Sequence, residues 1–193
     1  MKYLLALVIP CFFGMQKVTA QAWTKDTKVI SVGIGAANYY HLGTTGVTLY
    51  RPTTGFNSPV TGQLSIEGEL GVHQYVGVGF NTGFGGAGGR FFGSNGSINV
   101  PVGVLANFHF YQLIEDKTGA NLHAEALDIF VGASLGTGIG AIFYDNSRNQ
   151  VVPLAFGGVH AGARWYFSPK IGLTGQFGFG KQLVDVGVVF KLN

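Results

Sequence analysis

The sequence reads as all-β: one eight-stranded antiparallel transmembrane β-barrel, wound as an up-and-down meander. Three observations lead there. Of 193 residues, 47% are hydrophobic and only 11% charged, where a soluble domain usually carries about a quarter charged. Beyond residue 20, no apolar run approaches the ~20 residues that a membrane-spanning helix needs. Eight stretches instead alternate large apolar residues with small or polar ones, the two-residue period of a strand with unlike faces.

The N-terminus stands apart from this pattern. Lys2 precedes an apolar segment from Tyr3 to Phe13, and Val18-Thr19-Ala20 supplies small residues ahead of a cleavage point, as in a secretory signal peptide. Residues 1–20 are therefore expected to be removed. Cys11 is the single cysteine and lies in that segment, so the mature chain is expected to hold no disulfide. Residues 21–27 form a short periplasmic segment, and the barrel domain spans 28–193.

The strands follow in order. Ile30, Val32, Ile34 and Ala36 share one face of the first, opposite Ser31, Gly33 and Gly35. In the second, Leu64, Ile66 and Leu70 oppose Gln63, Ser65, Glu67 and Glu69. The third sets Val76, Val78, Phe80 and Phe84 against Gly77, Gly79, Asn81 and Gly83. The fourth is placed just after Pro101, with Val102, Val104, Ala106, Phe108 and Phe110 against Gly103, Asn107 and His109. Leu127 to Leu135 make the fifth, with Asp128, Gly132 and Ser134 on its small face. The sixth is placed after Pro153, where Val159, Ala161, Ala163, Trp165 and Phe167 oppose Gly158, His160, Gly162 and Arg164. Ile171, Leu173, Phe177 and Phe179 oppose Gly172, Thr174, Gln176 and Gly178 in the seventh. The eighth sets Val184, Val186, Val188, Phe190 and Leu192 against Asp185, Gly187 and Lys191.

Composition decides which face is outside. A water-soluble sandwich would turn the apolar face inward and coat itself with Gly, Ser and Asn, a poor surface for solubility. Turned outward into lipid, the apolar face leaves a small-residue lining for a narrow interior. Charge placement agrees: Glu67, Glu69, Asp128, Arg164, Asp185 and Lys191 all fall on the non-apolar face, and a midplane charge facing lipid costs ~2–4 kcal/mol. Lys28, Glu125 and Lys181 take the apolar parity, but at strand ends, where water is near.

Eight strands starting in the periplasm bring the C-terminus back to it. Turns near 72–74 and 168–170 are then periplasmic, and 41–61, 85–97 and 142–152 are extracellular loops rich in Gly, Asn, Ser and Thr. Aromatics at the inner interface are expected to include Phe108, Phe110, Tyr111, Trp165, Tyr166, Phe167 and Phe190.

With that pattern laid out, the chain resembles the small outer-membrane β-barrel proteins of the OmpA/OmpX type, the outer-membrane β-barrel domain family. The resemblance spans roughly residues 28–193. It rests on GARWYFSPKIGLTGQFGFG, on the aromatic-rich VGVLANFHFYQ and on the C-terminal VDVGVVFKLN. It implies residence in the outer membrane and insertion by the outer-membrane assembly machinery. Family members often end in an aromatic residue, whereas this chain ends Phe190-Lys191-Leu192-Asn193.

The chemistry expected of such a chain is limited. An eight-stranded barrel is just wide enough for side chains to fill it, which excludes a general diffusion pore. Glu67, Glu69, Asp128, Arg164 and Lys191, with His109 and His160, are expected to form a hydrogen-bonded interior plug. The alternatives are a narrow ion channel through that plug and a lipid-modifying enzyme. Barrels resembling lipid A deacylases place a lipid-facing His two residues from a Ser; none of His41, His73, His109, His123 and His160 has that neighbour. We therefore expect no enzyme. The histidines lack zinc spacing, and Gly85 to Gly89 lack the Lys-Ser/Thr of a phosphate loop, so no metal or cofactor is expected. A net charge of +3 without a basic stripe gives no nucleic-acid footprint.

What remains is the outer surface. Arg51, Arg90, Arg148 and Lys181 face a single acid there, Asp145, and guanidinium groups suit phosphate. Lipopolysaccharide head groups are the expected contact of these four residues. The loops are the expected contact surface for any extracellular ligand.

Overall fold

The computed structural model describes residues 22–37, 40–43, 46–48, 61–88, 96–120, 122–143 and 149–193. Its strands are β1 (Lys28–Ala37), β2 (Tyr40–Gly43), β3 (Gly46–Thr48), β4 (Thr61–His73), β5 (Val76–Gly88), β6 (Gly96–Phe108), β7 (Leu127–Phe143), β8 (Gln150–Tyr166), β9 (Ile171–Phe179) and β10 (Val184–Lys191), with one helix, α1 (Phe110–Thr118). Eight of them, β1 and β4 to β10, close into an antiparallel meander barrel. The seam joins first strand to last, with Val32 opposite Val188 and Ile34 opposite Val186. Closure leaves no edge in the eight-stranded wall, the condition for a sheet to stand in lipid. No helix among the described residues is long and apolar enough to cross a membrane.

The side-chain alternation resolves as the sequence implied. Ile34, Leu135, Val159 and Phe177 are 65%, 68%, 66% and 66% exposed on the outer wall, while Ser65, Glu67, Asp128 and Arg164 are buried within. Val78 and Val131 are outward too.

The start of β1 and the end of β10 lie at one end of the barrel, here called the base. The β4–β5 turn at Gln74-Tyr75 and the β8–β9 turn at 167–170 are also basal, and Ser168 Oγ accepts from Ile171 N at 2.9 Å to fix the second. At the rim, β9 and β10 stop short of the 17-residue arms of β7 and β8. Above β9, β8 takes a different partner: Tyr40 and His41 of β2 pair with Ala155 and Leu154. Thus 41–61, expected as loop throughout, contains a β2–β3 hairpin.

Four departures from the sequence reading have physical causes. First, β6 and β8 run through Pro101 and Pro153 rather than starting after them. Proline cannot donate a ladder bond, and β5–β6 pairing lapses beside Pro101, between Thr82–Val102 and Gly85–Asn99. Two outward threonines work beside these prolines: Thr82 Oγ1 donates to Pro101 O and Thr137 Oγ1 to Leu154 O, both at 2.9 Å. Each bond satisfies a hydroxyl that would otherwise meet lipid bare.

Second, the fourth strand ends at Phe108, and Phe110 and Tyr111 open α1 instead of extending a girdle. Gly119 closes the helix in the left-handed conformation at φ 67°, its N–H returning to Glu115 O. Glu115 Oε2 then accepts from Leu122 N and Ala124 N at 2.8 and 3.1 Å. Third, Tyr166 points inward and is buried; it shares the parity of Arg164.

Fourth, the interior is not only glycine and polar groups. Leu105, Phe130, Leu154 and Phe156 are buried inside. Glycines opposite them supply the room: a Cβ at Gly162 would come within 2.5 Å of the Phe130 ring, and one at Gly103 within 2.6 Å of Phe156.

Candidate functional site: a charged network inside the barrel

The small-residue face of each strand projects its few long side chains into one narrow space. Glu67 and Glu69 are two apart on β4 and therefore both point inward, at successive levels. Arg164 on β8 faces Asp128 on β7 across a paired rung. His109 leaves the end of β6 and turns to the same place.

The lower cluster joins four groups. Arg164 Nη2 donates to Glu69 Oε2 at 2.5 Å, and Nη1 approaches Asp128 Oδ2 at 3.4 Å. His109 meets the same two acids, with Nδ1 2.8 Å from Asp128 Oδ1 and Nε2 3.0 Å from Glu69 Oε1. With both acids ionised, each ring nitrogen donates, the pattern of the imidazolium. Two positive and two negative groups then balance. The flanks are aromatic: the Trp23 indole stacks on His109 at 3.6 Å and 9°, and the Arg164 guanidinium lies 4.4 Å from the Phe130 centroid. Cations over ring faces are attracted by the ring quadrupole.

The upper cluster centres on Glu67, which accepts from Lys181 Nζ and, at 2.8 Å, from Gln176 Nε2. Gln182 Nε2 donates onward to Gln176 Oε1 at 2.7 Å. Beside it Ser65 Oγ donates to Asp185 Oδ2 at 2.7 Å. Between the clusters, His160 Nε2 and Asn107 Oδ1 lie 2.8 Å apart. A narrow crevice with no room for a water molecule lies next to the upper cluster, bounded by Glu67, Asn81, Phe156 and Lys181 among others.

The structure thus brings Glu67, Glu69, Asp128, Arg164, His109 and His160 into the interior. Lys191 takes the inward parity at the basal end of β10 and is half-buried. Lys181 is a correction. Expected on the outer rim, it is buried beside Glu67. The cause is local: alternation stops at Phe179, and Gly180 at φ 92° turns the chain back over the barrel mouth. Only glycine suits that position, because its φ is left-handed and any Cβ would strike the Gly157 carbonyl. Arg51, Arg90 and Arg148 lie outside the described residues.

Sequence reasoning missed Trp23, Gln176 and Gln182 as members. Gln176 was legible by parity; Trp23, outside any alternating stretch, gave no signal. Among the described residues no group of three or more His, Cys, Asp or Glu is placed to hold a metal ion. Chemically, the network pairs and immobilises charge, and both interior histidines and the arginine are turned away from the lipid-facing wall.

No protein-family model matches the sequence, and a search of curated proteins finds no significant relative. Solved structures do match. The N-terminal β-barrel domain of Pseudomonas aeruginosa OprF aligns with a TM-score of 0.55 at 12% identity, covering 88% of this chain and 99% of that one. Neisserial surface protein A gives 0.55 at 12% identity, with 86% and 97% covered. Ail, the attachment invasion locus protein of Yersinia pestis, gives 0.50 at 10% identity, with 87% and 96% covered. At these identities the shared property is the fold, that of eight-stranded outer-membrane barrels.

Proposed function

We propose that this barrel, exported by a signal peptide cleaved after Ala20, resides in the outer membrane as a non-enzymatic structural and surface-interaction protein. The β2–β3 hairpin and the outer connections that follow β3, β5 and β7, shorter than the loops 41–61, 85–97 and 142–152 expected from sequence because the strands run into those ranges, form the contact surface. The observation that supports the reading is the interior: among the described residues, charged pairs and buried aromatics project into the lumen, which favours contact through the loops over conduction. Two fold neighbours, described as a surface protein and an attachment invasion locus protein, fit the same role, although fold alone does not transmit function.

The loop arginines Arg51, Arg90 and Arg148 are proposed to hold lipopolysaccharide phosphates; Lys181, inside the barrel, has no part in that. Two measurements test the reading together. An epitope inserted between Asn57 and Ser58 should be detected on intact cells, and the purified protein in planar bilayers should show background conductance. An epitope seen only after lysis, or steady conductance in the unmodified protein, overturns it. Charge reversal of the three arginines should reduce lipopolysaccharide carried through purification, and unchanged retention removes that part.

A further inference from the structure

The segment before β1 is a buried part of the barrel base. Ala22 and Trp23 are 2% and 1% exposed and pack with Val29, Tyr166 and Val189. Three backbone bonds hold the segment down: Ala22 N to Ala124 O at 2.9 Å, Asp26 N to Gly71 O at 2.8 Å, and Gly71 N to Thr27 O at 2.8 Å. Thr24 N donates to Thr27 Oγ1 at 3.0 Å, which folds the segment into a compact turn. The indole lies flat on His109 and 5.7 Å from the Arg164 guanidinium carbon. Gly77 beneath it has no side chain, and a Cβ there would come within 2.7 Å of the indole. The barrel is thus shaped to receive this ring.

We propose that residues 22–27 are a latch over the basal mouth, with Trp23 as the seated element, and that its release opens the Glu69–His109–Asp128–Arg164 cluster to the periplasm. The proposal rests on the membrane reading, which puts the base in the periplasm. Its physical logic is that of a small opening unit. The latch is held by three backbone bonds, one bond from Asn193 Nδ2 to Asp26 O at 2.7 Å and one large buried side chain, and it packs on β8 and β10 without belonging to the closed ladder. Such a segment can unseat at a fraction of the free energy of global unfolding.

The test uses imidazole modification by diethylpyrocarbonate, read residue by residue by mass spectrometry in bilayer nanodiscs. His73 and His123 are exposed and serve as internal references; His109 is fully buried. In Trp23→Ala, His109 modification should rise roughly tenfold relative to His73, as expected for a shifted local opening, with Trp23→Phe in between. The A22C/A124C pair, on a mature chain expected to have no other cysteine, should lock the latch. Oxidised, it should show less His109 modification than the same protein reduced. Heat-modifiable gel migration checks that each variant is folded. The proposal is overturned if folded Trp23→Ala protects His109 as wild type does. Equal modification of the oxidised and reduced pair also overturns it, as does a pair that will not oxidise. Should Trp23→Ala fail to fold, the disulfide arms decide alone, and failure of outer-membrane fractionation would separately remove the membrane reading.

Discussion

Replacing Arg164 by Met is the sharpest perturbation of the interior. The side chain is 1% exposed and faces Glu69 and Asp128 together. Its removal leaves two carboxylates and one imidazolium in a closed space, one negative charge in excess. Breaking a buried ion pair by deleting one partner costs ~3–5 kcal/mol, which is a factor of roughly 10² to 10³ or more in the folded-to-unfolded ratio. Adding Glu69→Gln removes the excess charge while keeping the shape. The double variant should therefore be more stable than the two single losses summed, by about 0.5–3 kcal/mol, the range for directly coupled neighbours. The assay is urea unfolding from lipid vesicles, followed by heat-modifiable gel migration for wild type, both single variants and the double. A loss under about 1 kcal/mol for Arg164→Met, or strictly additive losses in the double, would refute the balanced-cluster reasoning.

Other perturbations separate the interior from the lipid wall. Leu135→Arg, at an outward position 68% exposed, should destabilise the vesicle-inserted barrel by ~2–4 kcal/mol if it lies near the midplane; a change within about 0.5 kcal/mol, normal for a water-facing site, would contradict the placement. Gly162→Val should cost ~1–3 kcal/mol through collision with Phe130, whereas Gly175→Ala, whose Cβ would meet nothing within 4 Å, should be nearly neutral; equal losses in the same unfolding assay would refute the glycine argument. Thr82→Val removes the donor to Pro101 O and should cost ~1–3 kcal/mol, the penalty for stranding a buried acceptor, and no loss would mean that this carbonyl is otherwise satisfied. Lys181→Met should destabilise through stranded Glu67, while leaving lipopolysaccharide retention unchanged; retention that falls instead would return Lys181 to the outer surface.

Strand identity and orientation were legible because period-two alternation, once lipid is the solvent, fixes both the face and the parity of every charge. Glu67, Glu69, Asp128 and Arg164 were placed inside on that basis alone. The same rule failed where alternation stops. Lys181 sits one residue beyond a left-handed glycine, so parity counted through it has no meaning. Trp23 is seated by His109, and its neighbours Ala22, Asp26 and Thr27 by Ala124 and Gly71, all distant in sequence, and no local pattern announces them. The helix Phe110–Thr118 was hidden because Phe110 continues the alternation of the fourth strand, so the strand pattern runs on into the helix. Pro101 and Pro153 looked like strand limits because each lacks a ladder donor, and the hydroxyl that serves Pro101 O, Thr82, lies on a neighbouring strand. The interior aromatics Phe130 and Phe156 are matched by glycines on other strands, Gly162 on β8 and Gly103 on β6, a match visible only once the register is known.

The central claim, that the apolar face meets acyl chains, is tested most directly by tryptophan quenching. In a Trp23→Phe, Trp165→Phe background carrying Leu135→Trp, the single indole should be quenched by brominated acyl chains and little affected by aqueous iodide. Quenching by iodide with no response to brominated lipid would place Leu135 in water and contradict the membrane barrel.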